Sequence, residues 1–226
     1  MKLVGKLLFV PILLGAFFVF TAAAQDKKET ERIKKSITVV KDFSEMKESI
    51  PSKLLEQAQG IVIIPKMINA GLGIGGKRGK GIAMVKLSSG EWSNPVFMTI
   101  TGGSIGFQAG VQAVDLVLLF KHKESLSDAK KSEFTIGGDL SVAAGPVGRN
   151  TSANTDYKLE AEVYSYSRSK GLFAGVSING SNLAFDKTAI ANFYGSDVST
   201  SYLFKSASQT SADIKTLRSI LAEMEK

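Results

Sequence analysis

The chain has 226 residues, a formal net charge of +7 and no cysteine. The lack of cysteine excludes disulfide bonds, thiolate catalysis and cysteine-ligated metal sites, so the core alone must hold the chain together. The single histidine, His122, stands in the charged segment KHKE, which indicates an exposed side chain and predicts neither a catalytic triad nor a metal site.

Residues 1–24 have the pattern of a secretory signal peptide. Lys2 and Lys6 precede an apolar run over 7–20, and three alanines at 22–24 form a small-residue cleavage site. We therefore expect an exported protein, periplasmic or extracellular and peripheral to a membrane. Its charge falls from +7 to +5 when Lys2 and Lys6 leave with the signal. For such a basic, exported protein, phospholipid headgroups or acidic glycans are expected partners before nucleic acid.

Apolar residues recur every three or four positions over 25–50, which predicts an amphipathic helix. The apolar stripe consists of Ile33, Ile37, Val40, Phe43, Met46 and Ile50. Lysines that include Lys34 and Lys35 surround this stripe. Two interpretations are open: the helix lies on a membrane surface, or it packs on its own domain with a solvated charged face. Pro51 then favours the first turn of a short second helix over 52–59.

A glycine-rich segment follows a short apolar strand, GIVIIP at 60–65, which Pro65 is expected to end. GLGIGGKRGKG at 71–81 partly matches two nucleotide-binding motifs, but both motifs require a helix to follow. Gly79 and Gly81 would break such a helix, and the next residues have the composition of a strand. We therefore predict a strand–turn–strand in which close backbone packing excludes side chains. The residues expected at its basic tip are Lys77, Arg78 and Lys80.

The stretch from 92 to 120 predicts further β-structure. Glycines within residues 92–110 would allow bulges or a tight bend, and VDLVLLF at 114–120 has the composition of a buried strand. Asp115 stands at the start of this strand, so its carboxylate must be paired or hydrogen-bonded. We expect a structural role for Asp115, because no second acid or histidine lies nearby in sequence.

Residues 164–180 predict a β-hairpin. YSYS alternates as a strand does, a turn falls at 169–171, and LFAGVSI forms the returning strand. Arg168 and Lys170 are expected to reach solvent at the turn as a second basic tip, beside the apolar Phe173. The alternative interpretation is that these are two solvated charges on a loop.

The remaining signals are helical. A short helix is predicted over 186–194 and a C-terminal helix over 212–226, with Ser211 as its N-cap. The elements together predict an α+β fold, in which a mainly antiparallel β-sheet curls into a barrel or sandwich. The N-terminal amphipathic helix of 25–50 and the C-terminal helix accompany this sheet, and residues 51–226 are expected to form one domain.

Six ordered blocks resemble one known family: GIVIIP (60–65), GGKRGKG (75–81), WSNPVFMTITGGSIGFQAG with the following Asp115 (92–115), GGDLSVAAGPVGR (137–149), YSYSRSKGLFAGVSINGS (164–181) and NFYG (192–195). They resemble the SYLF lipid-binding domain of exported bacterial proteins and of eukaryotic membrane-trafficking and actin-patch proteins. The resemblance implies binding of phosphoinositides or other anionic phospholipids without catalysis. In eukaryotic members an amphipathic segment ahead of the domain helps membrane contact, and some members bind actin, which an exported protein would not meet.

The hypothesis from sequence is therefore non-catalytic binding of anionic phospholipids at a membrane surface, through basic loops and the amphipathic helix and without a cofactor or metal. The residues assigned to this site are Lys34, Lys35, Ile37, Val40, Lys77, Arg78, Lys80, Arg168, Lys170 and Phe173. The alternative is a structural or protein-interaction scaffold of the cell envelope with no lipid specificity. An enzyme is the least favoured class, because no nucleophile–base pair or carboxylate pair has a recognisable spacing.

Overall fold

The computed structural model describes residues 10–46, 50–128, 131–144, 161–170, 172–173 and 176–226, and within them it leaves out the side chains of 10–26, 72–74, 104–109 and 173. The helices are α1 (Val10–Ser44), α2 (Ser52–Gln57), α3 (Glu124–Ser127), α4 (Lys187–Tyr194), α5 (Thr200–Phe204) and α6 (Ala212–Met224). The strands are β1 (Gly60–Val85), β2 (Val96–Phe120), β3 (Glu133–Ile136), β4 (Val142–Ala144), β5 (Val163–Ser169), β6 (Leu172–Phe173) and β7 (Ser181–Phe185). The expected signal peptide falls on residues 1–9, outside this description, and on the first part of α1, so it stays a prediction.

Strands β1 and β2 form one long antiparallel hairpin, which runs from the pair Gly60–Phe120 to the pair Ala83–Val96. The register shifts a first time between Ile64 and Met67. It shifts again where residues 71–73 face residues 106–110, and there β2 contributes more residues than β1. An extra residue on one strand is the mark of a β-bulge, so the expectation of a bulge within 92–110 is confirmed.

Two predictions for β1 are wrong. Pro65 does not end the strand, because it lies with Lys66 at the first register shift, where a proline costs no ladder hydrogen bond. Lys66 itself adopts a positive φ of 48°. The segment 71–81 contains no turn, since its glycines belong to a single strand that continues to Val85.

The two halves of β1 come together at Gly79 and Gly81. A Cβ atom on Gly81 would lie 1.9 Å from the carbonyl oxygen of Ile63, and one on Gly79 would lie 2.4 Å from Cγ2 of Ile64. No side chain fits into such contacts, so this crossing of β1 over itself requires glycine at both positions. The close backbone packing expected from the sequence is therefore confirmed, although the expected turn is not.

Strand β2 is central to the described sheet. On the edge away from β1 it pairs with β7 through residues 98–102 and with β5 through residues 115–120. Strand β3 then joins β7, and β4 joins β5 in the one parallel pairing among the described strands. The sheet is curled and mainly antiparallel, and helices precede and follow it, which confirms the α+β prediction.

Helix α1 packs on its own domain, against β1, α4 and α6. Ile33, Val40 and Phe43 of the predicted apolar stripe are buried in the core. Of the two interpretations left open by the sequence, the structure therefore shows the docked helix. The helix ends at Ser44, ahead of the predicted end at residue 50, and Ile50 is buried outside it. Within the described ranges, no helix combines the length and the apolar character needed to cross a membrane.

The hairpin predicted over 164–180 is confirmed in part. Strands β5 and β6 pair through Arg168–Phe173 and Ser169–Leu172. However, β6 has only two residues, and residues 176–178 form no strand although the returning strand was expected to reach them. An apolar run has the same composition in a strand and in an extended segment without ladder pairing, so the sequence alone predicts a strand over 176–178 as well.

Two helix predictions near the C-terminus are confirmed, and their caps explain where they begin. The side chain of Asp186 accepts a hydrogen bond from the backbone N–H of Ala189 at the start of α4. The hydroxyl of Ser211 accepts one from the N–H of Ile214 at the start of α6. Each cap satisfies a donor that the first helical turn leaves free.

Candidate anion-binding cleft

An open cleft of about 830 Å³ lies between α1 and the crossing of β1. Seven basic and two acidic side chains line it. The basic side chains are Lys27, Lys28, Arg32 and Lys35 of α1 and Lys66, Arg78 and Lys80 of β1. The acidic side chains are Glu29 and Glu31. A concave surface with this excess of positive charge attracts anions, because neighbouring low-dielectric protein concentrates the field inside it.

Strand alternation explains which residues of β1 enter the cleft. Successive side chains of a strand point to opposite faces. Gly79 and Gly81 face the core at the crossing, so Arg78 and Lys80 face outward and both are exposed. Lys66 reaches the cleft from the other half of β1, where its backbone N–H donates a 2.8 Å hydrogen bond to Oδ1 of Asp115. The crossing therefore brings cations from distant parts of one strand together.

Arg32 contacts a carboxylate and an aromatic ring on one side of the cleft. Its Nη2 lies 2.8 Å from Oδ2 of Asp186, and its guanidinium carbon lies 5.1 Å from the ring centre of Phe97. The Nζ of Lys80 lies 3.6 Å from the same carboxylate oxygen. Burial alone would raise the pKa of Asp186, but the hydrogen bond from Arg32, the cap to Ala189 and the nearby positive charges hold this pKa below its usual value.

Other cations of the cleft have no carboxylate partner. Among the described residues, no ion pair engages Lys35, Lys66 or Arg78, whereas Glu31 pairs with Lys34 at 3.6 Å. An anionic ligand would therefore meet charges that are not already neutralised. No group of histidine and acidic side chains in the described part of the chain is arranged to hold a metal ion.

The packing of α1 exposes some of its predicted lipid-binding residues and buries others. Lys35 lines the cleft, and Lys34 is exposed and pairs with Glu31. Ile37 is partly buried and Val40 fully buried against the domain. The expectation that these two apolar residues face a membrane is wrong for the docked helix, because the core already occupies that face.

Lys77 does not share a surface with Arg78 and Lys80. It faces inward, is 6% exposed, and donates a hydrogen bond from Nζ to the backbone carbonyl of Ser177. Burial lowers its pKa below the usual value for lysine. The predicted basic tip is therefore wrong in its geometry, because adjacent residues of a strand cannot point the same way.

Arg168 is also not at a tip. Its Nη2 contacts Oδ2 of Asp115 at 2.9 Å and Oδ2 of Asp42, and its guanidinium carbon lies 5.8 Å from the ring centre of Phe43. The expected pairing of Asp115 is thereby confirmed. Lys170 does lie at the turn, exposed and with a positive φ of 49°. The side chain of Phe173 lies outside the described residues, so its role stays a prediction.

Sequence reasoning missed Lys66 and Arg32 as residues of the site. Lys66 follows a proline within an otherwise continuous strand pattern, and that combination is typical of a bulge, which changes the direction of a side chain. Arg32 gives no comparable signal, since its carboxylate partner Asp186 is 154 residues away. Lys27 and Lys28 belong to the basic half of the predicted helix, and only the fold places them beside β1.

The sequence of this chain is similar to a known family and to named proteins. Residues 101–224 match a family model described as "Ysc84: Las17-binding protein actin regulator". The human SH3 domain-containing YSC84-like protein 1 is 35% identical over 172 residues, which are 73% of this chain and 50% of that protein. The Xenopus laevis protein of the same name is 34% identical over 173 residues, 76% of this chain and 51% of that protein.

A yeast relative extends this similarity. Protein YSC84 of Saccharomyces cerevisiae is 36% identical over 149 residues, which are 65% of this chain and 32% of that protein. This chain therefore spans about half of the length of the vertebrate relatives and about a third of the yeast one.

Proposed function

Because this chain belongs to the Ysc84 family, in agreement with its resemblance to the SYLF domain, we propose that its basic cleft binds the headgroups of anionic phospholipids at a membrane surface. The family is one of binding and adaptor domains. The function proposed is binding without catalysis. The observation that carries this proposal is the convergence of cations from α1 and from both halves of β1 on one cleft.

The number of cations in the cleft sets the expected strength of binding. A lysine or arginine near an anionic bilayer contributes about 1 kcal/mol. Lys35, Lys66 and Arg78, which are three of the cleft cations without a carboxylate partner, would together give about 3 kcal/mol, and this contribution would fall with added salt. The docked α1 supplies part of the cleft, so this mode of binding needs no release of the helix.

Co-sedimentation with vesicles tests the proposal. The chain is mixed with vesicles of phosphatidylcholine alone and with vesicles that contain 30% phosphatidylglycerol, at about 0.1 M and about 0.5 M salt. We expect binding only to the anionic vesicles and only at the lower salt. The double variant Lys35→Gln with Arg78→Gln should bind about 25-fold more weakly, since two charges near the surface are lost.

The matched control removes the same charge elsewhere. Lys205 and Lys215 are exposed and lie outside the cleft, so the double variant Lys205→Gln with Lys215→Gln should bind like the unaltered chain. Equal weakening by the two double variants would mean that net charge, not the cleft, attracts the membrane. Binding that is unchanged at high salt would contradict the electrostatic proposal altogether.

A protein partner is the second candidate function, and the family description favours it. The matching family model is described as a Las17-binding actin regulator, which makes protein binding a property to test here. For a chain that is exported, we propose an envelope protein as the partner and not actin. The chain is immobilised on an affinity column and tested for a partner that binds it in stoichiometric amount. If it retains such a partner but binds neither kind of vesicle, protein binding replaces lipid binding as the proposed function.

We propose also that the chain is exported and acts at the periplasmic or extracellular side of a membrane. The support is the order of charged, apolar and small residues over 1–24. The cleft cations of α1 are Lys27, Lys28, Arg32 and Lys35, which all follow this segment, so a chain cleaved after Ala24 would keep them. Mass spectrometry of the protein recovered from its host should find a chain that begins at Gln25. An intact Met1 would contradict cleavage.

A further inference from the structure

An apolar surface lies on the β1–β2 hairpin near its bend. The register places Ile68 opposite Ala113 and Ala70 opposite Val111. Directly opposite residues of an antiparallel pair share a face, so these four side chains lie on one side of the sheet. Ile68 is 42% exposed and Val111 is 76% exposed. We call these four residues the apolar end.

The solvated face of this hairpin is therefore unusual in composition. Met67 and Val114, on the opposite face, are fully buried. An antiparallel sheet with one solvated face is normally apolar toward the core and polar toward water. Here both faces carry apolar side chains, which indicates that the outer face meets something other than water.

Helix α1 covers part of the same face and leaves the apolar end open. Asp115 and Ala113 are two residues apart in β2, so they point to the same side. Asp115 pairs with Arg168, which also contacts Asp42 of α1. The apolar end is the continuation of this face beyond the contacts of the helix, and Val111 stays exposed there.

The charges around the apolar end identify its occupant. Lys66 stands two residues before Ile68 and lines the basic cleft, and the exposed Lys170 lies at the end of β5. The sequence contains no aspartate or glutamate over 66–78 or over 98–113. In a symmetric dimer through this surface, like charges would face each other. An anionic bilayer offers both negative headgroups and apolar chains.

We propose that the apolar end enters the boundary between headgroups and acyl chains of an anionic bilayer while the cleft binds the headgroups. The inference rests on the lipid-binding function proposed above and adds the orientation of the domain on the membrane. Lys66 and Ile68 are two residues apart on β1, so a cation of the cleft lies next to the apolar end. Apolar side chains of a protein on a membrane surface enter the headgroup–acyl boundary to about 5–10 Å.

Site-specific labelling tests this orientation, because the chain has no cysteine of its own. Val111→Cys and, as a control on the exposed surface of α6, Ser219→Cys are each labelled with the environment-sensitive fluorophore NBD. Vesicles of phosphatidylcholine with 30% phosphatidylglycerol are then added. We expect a blue shift and quenching by lipid-borne nitroxide for the label at 111, and no change for the label at 219.

A second variant measures the contribution of the apolar end to binding. Val111→Asp should weaken co-sedimentation with the anionic vesicles at least tenfold, whereas Val111→Thr should stay within about threefold of the unaltered chain. Circular dichroism checks that both variants fold. Because Val111 is largely exposed, neither substitution disturbs the core.

The outcomes separate this inference from the function on which it rests. If the chain binds vesicles but the fluorescence of the label at position 111 does not change, the proposed orientation is wrong and the lipid-binding function stands. A blue shift at 111 that grows with protein concentration in the absence of vesicles would overturn it in favour of a second copy of the chain. Failure of the unaltered chain to bind vesicles would remove both proposals together.

Discussion

Asp42 in α1 and Arg168 in β5 form an ion pair across 126 residues of sequence. Arg168 also contacts Asp115 of β2, whose other carboxylate oxygen accepts the backbone N–H of Lys66. Arg168 thus connects the N-terminal helix to β2 and to its own strand, β5. These contacts lie close to the bulge of β1 that contains Lys66 of the cleft. We expect the docking of α1 to depend on this arginine.

Replacement of Arg168 by methionine should lower the free energy of unfolding by about 3 kcal/mol, because Asp115 would be left as a partly buried carboxylate without its cation. The Arg168 and Asp115 side chains are only 13% and 17% exposed. Asp42→Asn should cost about 1 kcal/mol, since Asp42 is 34% exposed and Arg168 keeps its contact with Asp115. Urea unfolding measures both changes.

A double variant provides the control for this prediction. Arg168→Met combined with Asp115→Leu removes both buried charges, and should be more stable than Arg168→Met alone. Equal stability of these two variants would mean that the loss comes from packing of the arginine and not from the charge left behind.

Gly81→Ala should prevent stable folding or lower the free energy of unfolding by about 3 kcal/mol or more. Its Cβ would lie 1.9 Å from the carbonyl oxygen of Ile63, which belongs to the backbone of the same strand and cannot turn aside. Gly103→Ala is the matched control, because nothing lies within 4 Å of the Cβ it would add. Thermal unfolding followed by circular dichroism should show a large change for Gly81 and little change for Gly103.

Local patterns were sufficient to predict several elements of this fold. The apolar run at 114–120, the cap at Ser211 and the stripe of α1 each depend on neighbouring residues, so periodicity and capping reveal them. The turn expected within 71–81 was wrong because glycine and charge are common both to turns and to a strand that crosses another backbone. Only the partner residues of β2, far along the chain, distinguish the two cases.

The sequence predicted the positive charge of the cleft but not the full set of residues that line it. Lys35, Arg78 and Lys80 were identified as cations for an anionic ligand, and the fold does bring them together. Lys77 was grouped with them because a turn was predicted here. In the strand that the structure shows, successive side chains point to opposite faces, so Lys77 points into the core. Lys66 joins the cleft only because Gly81 crosses over Ile63, a contact that no local pattern predicts.

The pH dependence of stability should report the pairing of Asp186. Its pKa in the folded chain is lower than usual, since Arg32 and the helix cap outweigh the opposing effect of burial. The ionised carboxylate therefore contributes stability above about pH 4, and this contribution is lost as the pH falls toward the lowered pKa. Asp186→Asn keeps a capping acceptor but has no charge, so the difference in stability from the unaltered chain should shrink below about pH 4.

Urea unfolding at several pH values between neutral and acid measures this difference. An exposed carboxylate outside these contacts, such as Asp197, serves as the control, and Asp197→Asn should leave the acid dependence unchanged. A constant difference between Asp186→Asn and the unaltered chain at every pH would contradict the prediction.

Lys77 should also make stability rise with pH, but in the alkaline range. Burial lowers its pKa in the folded chain, so between that pKa and the usual value of about 10.4 the unfolded chain binds more protons than the folded one. This lysine therefore makes stability rise with pH in that window. Lys77→Met should reduce the rise, whereas Lys215→Met, at an exposed position, should retain it. Parallel stability curves for Lys77→Met and the unaltered chain would show that Lys77 titrates alike in both states.

The crossing of β1 separates two properties of the cleft that are usually linked. Its shape depends on Gly79 and Gly81, which the core holds against Ile63 and Ile64. Part of its charge comes from Arg78, which alternates with those glycines, points to solvent and makes no ion pair among the described residues. The charge at this position is thus open to redesign on a constant scaffold: an acidic or apolar replacement would change the class of ligand that the same cavity attracts, with little change in folding.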